Sequence, residues 1–400
     1  MRITVEASSI RPRHAAGLET FTYGLLGGLA SGTDHAYQVN VLRGTLDEWR
    51  ERVPTDRIRW REVTVPLLTD TRYGQLLRRW TPDRVRESVA VRRTVNALRQ
   101  RAVSPPDDSD AVLFPFPYVP SKARRGVIVL HDLRQFHAAF HSPGFEAVVR
   151  ENVAHAAAIV VCWPHPYQEV LAMFPEAAER TALIPPPTFQ PAPDRAVAEP
   201  EPGLLLYPSS TSAHKNHATL LEAMARLPEF RLICPGPLVE PQASRLLQRA
   251  AMPDLAGRVS FPGFVTLDEL NRLYARADAV VVPSTWEAAS GAMLEAFSWG
   301  LPVACSDAEP LLAQLQFTGA EAAVFEAKNP RSLADAVRKL TADRGHYAAA
   351  SRRASARLAA RTWADTGRDY AAILEWAAAG SPGPMPRSPF AEALTTGQRG

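Results

Sequence analysis

The chain alternates short apolar runs with helical periodicity, and it does so twice, on either side of a proline-rich segment. In the first half the apolar runs are Ile3 to Ala7, Val39 to Leu42, Ala111 to Phe114, Val127 to Leu130, Ile159 to Cys162 and Ala182 to Ile184. They are continuous and rich in Val and Ile, as strands buried on both faces of a parallel sheet should be. Helical spacing lies between them, for example Val91, Val95 and Leu98 at i, i+4, i+7. The second half repeats the pattern with Leu204 to Tyr207, Leu232 to Cys234, Val259 to Phe261, Ala279 to Val282, Val303 to Cys305 and Ala323 to Phe325. Helices are expected at Ala218 to Leu227 and at Leu267 to Arg276, the latter opened by a Thr266-x-x-Glu269 capping box. Between the halves, Pro185-Pro186-Pro187 begins a stretch of Pro, Ala and acidic residues that suits neither helix interior nor central strand.

Two successive βα arrays of this kind predict an α/β chain with two Rossmann-like, doubly wound domains facing a central cleft. The expected boundaries are 1–185 for the N-terminal domain, 186–202 for the linker and 203–360 for the C-terminal domain. The last helical stretch, about 347 to 378, is expected to send its 361–380 portion back onto the N-terminal domain. Beyond Ser381-Pro382-Gly383-Pro384 the tail, 381–400, is expected to be disordered. Ligands bind at the carboxyl ends of such strands, which makes the cleft the expected site.

Composition narrows the function classes. The length of 400 residues suggests two or three domains, and with 46% hydrophobic and 22% charged residues the chain can bury a sizeable core. A balance of 45 Lys plus Arg against 42 Asp plus Glu, a net +3, does not mark a nucleic-acid binder. Cys162, Cys234 and Cys305 lie far apart without CxxC spacing, which argues for reduced thiols rather than a disulfide framework or structural zinc. Met1-Arg2-Ile3-Thr4-Val5 enters a strand directly, so no secretory leader is expected, and no run of about eighteen apolar residues exists. These features point to a cytoplasmic protein. Arginines at 72, 78, 79, 84, 86, 92, 93, 99 and 101 read first as a solvated face. Their second reading is a peripheral contact with an anionic inner-membrane surface, or with an anionic acceptor.

The most informative segment is 281–307, VVPSTWEAASGAMLEAFSWGLPVACSD. A buried strand ends at Val282, a loop carries Glu287, and a helix begins near Ser290-Gly291 and stops at Gly300 with Pro302 beyond. A helix start offers free N–H groups and the positive end of the dipole, which suits a diphosphate. Ala288, Ala289, Ser290 and Gly291 are small enough for close backbone approach. Glu287 and Glu295, seven residues between them, can accept hydrogen bonds from sugar and ribose hydroxyls. The plainer reading is an amphipathic helix with two solvated glutamates.

The segment resembles the signature of the retaining GT-B glycosyltransferases of family GT4 (glycosyl transferases group 1). Pro283-Ser284, Glu287, Glu295-Ala296, Gly300-Leu301-Pro302-Val303 and Ser306-Asp307 carry the likeness, while Ala288-Ala289-Ser290 replaces the family's usual Gly-Phe-Gly. Tyr207-Pro208 followed by His214-Lys215-Asn216-His217 resembles the loop whose lysine neutralises the donor diphosphate. The arginine that many members place five residues earlier is Ser210 here. Gly263-Phe264 and Glu269-Leu270 resemble the nucleobase loop. Gly17-Leu18-Glu19-Thr20-Phe21 resembles the first glycine-containing loop, with Ala16 in place of its first glycine. Val129-Leu130-His131-Asp132-Leu133 matches the strand-end His-Asp.

The resemblance implies transfer of a sugar from a UDP- or GDP-sugar to an acceptor such as a glycan, glycolipid or natural-product intermediate, with retention. It implies neither cofactor nor metal. Lys215 and the N–H groups of Ser290, Gly291 and Ala292 would hold the diphosphate, with Asn216 and Gly17 nearby. Glu295 would hold the ribose, Glu287 the sugar hydroxyls, Gly263 and Phe264 the base, and His131 the C6 hydroxyl. Read without the family, His131 is a satisfied core or capping group and Lys215 a solvated lysine. Asp108-Ser109-Asp110 has a DxD pattern but reads as a solvated acidic loop, and His137 with His141 read as surface histidines rather than zinc ligands. Two other classes share the architecture: a nucleotide-sugar-binding protein without transferase activity, and a nucleotide-sugar epimerase. A nicotinamide dehydrogenase is disfavoured, because no Gly-x-Gly-x-x-Gly follows any strand candidate.

Overall fold

The structure, a computed structural model, describes residues 1–10, 12, 16–64, 82, 85, 88–91, 93–94, 108–116, 125–187 and 200–396. The expected contact through the arginines of 72–101 lies, but for Arg93, outside the described residues, as does most of the expected linker, 188–199. The chain divides into two units, Met1–Pro187 with Arg361–Gly400, and Thr188–Ala360.

Unit 1 runs β1 (Arg2–Glu6), α1 (Ala16–Gly32), β2 (Ala36–Leu42), α2 (Leu46–Arg52), β3 (Ile58–Val63), β4 (Ala111–Phe114), β5 (Gly126–Leu130), α3 (Pro143–His155), β6 (Ala158–Val161), α4 (Pro164–Met173) and β7 (Thr181–Leu183). Its parallel sheet has the order β3-β2-β1-β4-β5-β6-β7. Winding therefore reverses between β1 and β4. The central strands β4, β5 and β6 are buried throughout, as their unbroken apolar runs require. On one side of them Leu133, Val149, Val153, Val170 and Phe174 close the core.

Strand β3 was not among the expected strands. Its sequence, Ile-Arg-Trp-Arg-Glu-Val, has only its two ends buried, and it pairs with β2 from Tyr37↔Ile58 to Leu42↔Val63. An edge strand exposes charged side chains and so lacks the apolar run that marks a central one.

Unit 2 runs β8 (Leu204–Leu206), α5 (His217–Met224), β9 (Arg231–Pro235), α6 (Gln242–Ala250), β10 (Val259–Gly263), α7 (Leu267–Arg276), β11 (Ala279–Val282), α8 (Gly291–Ser298), β12 (Val303–Ser306), α9 (Glu309–Thr318), β13 (Ala323–Phe325), α10 (Pro330–Ala342) and α11 (Arg344–Ala359). Its parallel sheet, β10-β9-β8-β11-β12-β13, reverses between β8 and β11. The capping box stands as expected: Thr266 accepts from Glu269 N, and the Glu269 carboxylate accepts from Thr266 N.

The helical stretch expected over 347–378 is two helices, α11 and then α12 (Trp363–Ala378), which fall in different units. Thr362 and Asp365 form a second capping box that starts α12, and the chain changes units at Ala360/Arg361. Within unit 1, α12 lies against α1 at backbone distance. Gly24, Gly28 and Gly32 recur every fourth residue, and Cβ atoms added at Gly28 and Gly32 would meet Trp363 O at 2.0 Å and Ala364 O at 2.5 Å. The expected disordered tail instead carries α13 (Pro389–Thr396), with Ala391 and Leu394 buried. Buried Arg361 ties it down, reaching Asp369 at 2.7 Å, Ser388 at 3.5 Å and the face of Phe390 at 5.1 Å. The prolines and the one glycine of 381–388 mark bends, and disorder does not follow from them.

Candidate functional site

In unit 2 the sheet reverses between β8 and β11, and an open α/β sheet binds ligands outside the carboxyl ends of the strands at that point. The loop leaving β8 carries Lys215, the loop leaving β11 carries Glu287, and the structure joins them. Lys215 Nζ donates to Glu287 Oε1 at 2.6 Å, and Ser284 Oγ donates to the same oxygen at 2.7 Å. The Tyr207 hydroxyl lies 2.8 Å from Ser284 Oγ and 3.1 Å from the Lys215 carbonyl. Glu287 is 6% exposed, and its Oε2 has no partner among the described residues. Tyr207 and Ser284 stand in the quoted motifs without an assigned role. A buried tyrosine closing an apolar strand needs a partner for its hydroxyl, and that was the available signal.

Helix α8 begins at Ser290, whose hydroxyl accepts from Met293 N. The expectation that Ser290 offers its own N–H to a diphosphate is corrected: that N–H donates to Gln314 Oε1 at 2.7 Å, and Gln314 Nε2 returns a bond to Ser290 O at 3.2 Å. The donors left at the helix start are the N–H groups of Gly291 and Ala292, which have no acceptor within the helix. Gly291 is exposed, and a Cβ added there would touch nothing within 4 Å. One turn on, Glu295 Oε2 accepts from the Tyr274 hydroxyl at 2.5 Å. Burial raises the Glu295 carboxyl above its ordinary pKa, and the Tyr274 hydrogen bond opposes the rise. Trp299 stacks on Tyr274 at 6.0 Å.

Asn216 takes a different part from the one expected. Its amide nitrogen is committed to Pro283 O at 2.9 Å and Ala327 O at 2.5 Å, and its Oδ1 accepts from Thr219. With φ at +56° it caps α5 in a left-handed turn, bracing the Lys215 loop against β11. Gly263 turns the chain at φ +77°, and the Phe264 after it is 81% exposed, a large aromatic face open to solvent.

Unit 1 holds the remaining expected residues. His131 follows β5 with its Nε2 2.8 Å from Pro115 O, and Phe21 meets its ring edge-on at 4.8 Å. A carbonyl can only accept, so Nε2 carries the proton and Nδ1 is an acceptor. Burial pushes the ring down to about 4, against the opposing Pro115 bond, and His131 is neutral near pH 7. Gly17 lies in the first turn of α1 rather than in a loop.

Asp108-Ser109-Asp110 fastens β1: Arg2 pairs with Asp108, its N–H donates to Asp110 at 2.8 Å, and Thr4 bonds Ser109 at 2.7 Å. His137 and His141 share no helix; each meets a carboxylate, Glu169 at 2.5 Å and Glu146 at 3.0 Å. Among the described residues no group of three or more His, Cys, Asp or Glu side chains could hold a metal ion. None of the described helices is long and apolar enough to cross a membrane.

Comparison with known proteins places this geometry. Residues 191–357 match the family described as glycosyl transferases group 1. The O-antigen chain mannosyltransferase B of Escherichia coli is 28% identical over 219 residues, 48% of this chain and 56% of its own length. An uncharacterized glycosyltransferase of Methanocaldococcus jannaschii is 38% identical over 88 residues, 22% of each chain. The matches thus span about half or less of these relatives. Among solved structures, sucrose-phosphate synthase from Thermosynechococcus elongatus superposes with a TM-score of 0.70 at 19% identity, covering 95% of this chain and 100% of its own. Anabaena HepE, solved in complex with UDP-glucose, gives 0.65 at 17%, covering 94% and 99%. At such identities the likeness shows the fold alone. The chain has the GT-B fold of two parallel-sheet units, and its residues 191–357 match the glycosyl transferases group 1 family.

Proposed function

We propose that the chain is a glycosyltransferase that moves a sugar from a UDP- or GDP-sugar to an acceptor, with retention and without a metal. The observation that carries it is the meeting of Lys215 and Glu287 at the switch point of unit 2, one loop away from the open start of α8. Breaking the anomeric bond leaves a nucleoside diphosphate whose charge needs stabilising. Lys215 and the N–H groups of Gly291 and Ala292 supply that charge and those donors. Glu295 takes the ribose hydroxyls, Glu287 Oε2 takes the sugar hydroxyls, and Phe264 offers a face to the base. His131, neutral with Nδ1 accepting, takes a hydrogen bond from a sugar hydroxyl. Retention is part of the family likeness and would proceed by same-face attack, the leaving phosphate helping to deprotonate the acceptor. The UDP-glucose bound to HepE and the mannosyl transfer named for the E. coli relative support a hexose nucleotide as donor. A cytoplasmic location and an anionic acceptor or membrane surface at 72–101 remain parts of this reading.

The test is release of nucleoside diphosphate from UDP- and GDP-sugars in the presence of EDTA, with Glu295→Ala and His131→Ala variants alongside. Slow release from one donor, reduced at least about a hundredfold in both variants, is expected. Loss of release on adding EDTA would overturn metal independence. Failure of every donor either to turn over or to raise the melting temperature would overturn the reading itself.

A further inference from the structure

Glu287 Oε1 receives two donors at once, Lys215 Nζ and Ser284 Oγ. A carboxylate only accepts, so the Ser284 proton points to Glu287, and Ser284 Oγ is left to accept from Tyr207, whose one proton it shares with the Lys215 carbonyl 3.1 Å away. The bonds therefore run one way, from Tyr207 to Ser284 to Glu287. Tyr207 is 1% exposed and Ser284 fully buried, so the order is sheltered from water. Burial, reinforced by the Glu287 charge, holds the Tyr207 hydroxyl above its ordinary pKa, which keeps it a donor. Ser284 is fixed from behind as well, its carbonyl accepting from Ser306 Oγ at 2.5 Å.

The two donors to Glu287 differ in freedom. The Lys215 side chain is 21% exposed, and it sits on the loop that meets the diphosphate in the function proposed above. A diphosphate carries more negative charge than a carboxylate, so its arrival draws Lys215 off Glu287. A carboxylate only 8% exposed in its side chain would then stand uncompensated, a costly state that invites displacement or protonation. Ser284 is the donor that stays. We propose that Tyr207 and Ser284 are positioning residues, a directed hydroxyl pair that holds Glu287 Oε1 after Lys215 moves to the donor diphosphate and so keeps Oε2 aimed at the sugar. This inference rests on the proposed donor site.

The experiment compares calorimetric affinities for UDP, UDP-glucose, GDP and GDP-mannose in wild type, Ser284→Ala, Ser284→Thr and Tyr207→Phe, each checked for fold by circular dichroism. In Ser284→Ala the nucleoside diphosphate should bind within about twofold of wild type, while the added affinity of the sugar falls about fivefold or more; Tyr207→Phe, which also frees the Lys215 carbonyl, should lower the added affinity of the sugar as well. Ser284→Thr keeps the hydroxyl and should restore it. A parallel fall for diphosphate and nucleotide-sugar, or no change in either, overturns the proposal. A second readout needs no activity: carboxyl 13C titration of Glu287 in Lys215→Ala and in Lys215→Ala/Ser284→Ala. The groups facing Glu287 are Lys215 and, through Ser284, Tyr207, so with Lys215 gone the loss of Ser284 should raise the Glu287 pKa by about one unit or more. An unchanged pKa overturns the positioning role even if no donor binds. Wild type that binds no nucleotide, together with the expected pKa rise, overturns the donor reading instead.

Discussion

Glu6 ends β1 with a carboxyl group that is 1% exposed, at the point where the unit 1 sheet reverses its winding. Its Oε1 accepts from Ser8 N and from the Ser8 hydroxyl, and its Oε2 from Asn40 Nδ2 at 2.9 Å. Burial outweighs these bonds and the more distant Arg61, pushing the carboxyl up from 4.5 to about 7. Because the folded pKa lies above the unfolded one, the group's contribution to stability is complete below pH 4.5 and is lost as pH rises through 7. Between about pH 5 and 8 the Glu6→Gln variant should therefore gain on wild type by about 2 kcal/mol. Urea unfolding of both proteins at the two pH values checks this, and a gap that widens against the variant would refute it. At this scale the sequence discloses residue types better than partners. Lys215, Glu287 and Glu295 were readable because their spacing from strand and helix ends is local. That Ser290 N–H is spent on Gln314, or that Asn216 braces two carbonyls, depends on residues 24 positions away in the first case and 67 and 111 in the second.

Helices α1 and α12 pack through glycine. Gly24, Gly28 and Gly32 present a bare stripe to Trp363 and Ala364, and Gly367 on α12 answers it, since its added Cβ would lie 2.3 Å from the Gly28 carbonyl carbon and oxygen. Backbone atoms cannot yield as a flexible side chain can, so an alanine at Gly28 or Gly367 forces the helices apart. Gly28→Ala and Gly367→Ala should each destabilise unit 1 by about 3 kcal/mol. Gly27→Ala, one residue away with nothing within 4 Å of its added Cβ, should be neutral or slightly stabilising. Thermal melts of the three variants decide the matter, and equal melting temperatures for Gly27→Ala and Gly28→Ala would contradict this packing. The four-residue period of these glycines was visible in the sequence, but its partner lies more than 330 residues on and no local rule reaches it. Elements with a single dominant signal were legible: β11 and β13 fall on their apolar runs, and α7 on its capping box. The exposed edge of β3 had no such signal.

The chain's two units are built unequally along the sequence. Unit 2 is continuous, whereas unit 1 is completed by residues that follow unit 2, from Arg361 onward. Their repeated βα alternation made the paired sheets readable, since each strand's apolar run and each crossover is a local pattern. The late return was readable only as a helix, and its anchors, Arg361 with Asp369 and Trp363 with Phe21 at 5.9 Å, are visible only in the fold. A chain ended at Ala360 loses α12 and α13 from unit 1 and nothing from unit 2. It also uncovers the glycine face of α1 and the buried Phe21 ring that Trp363 and Tyr370 meet. Peptide-resolved hydrogen exchange on the truncated and full chains should then show protection lost across α1, β4 and β5, against which α12 packs, and kept across β8, β11 and α8. Because Lys215, Glu287, Glu295 and the start of α8 all lie in unit 2, nucleoside diphosphate should still slow exchange there in the truncated chain. Uniform loss of protection in both units would mean that unit 2 does not hold its site by itself.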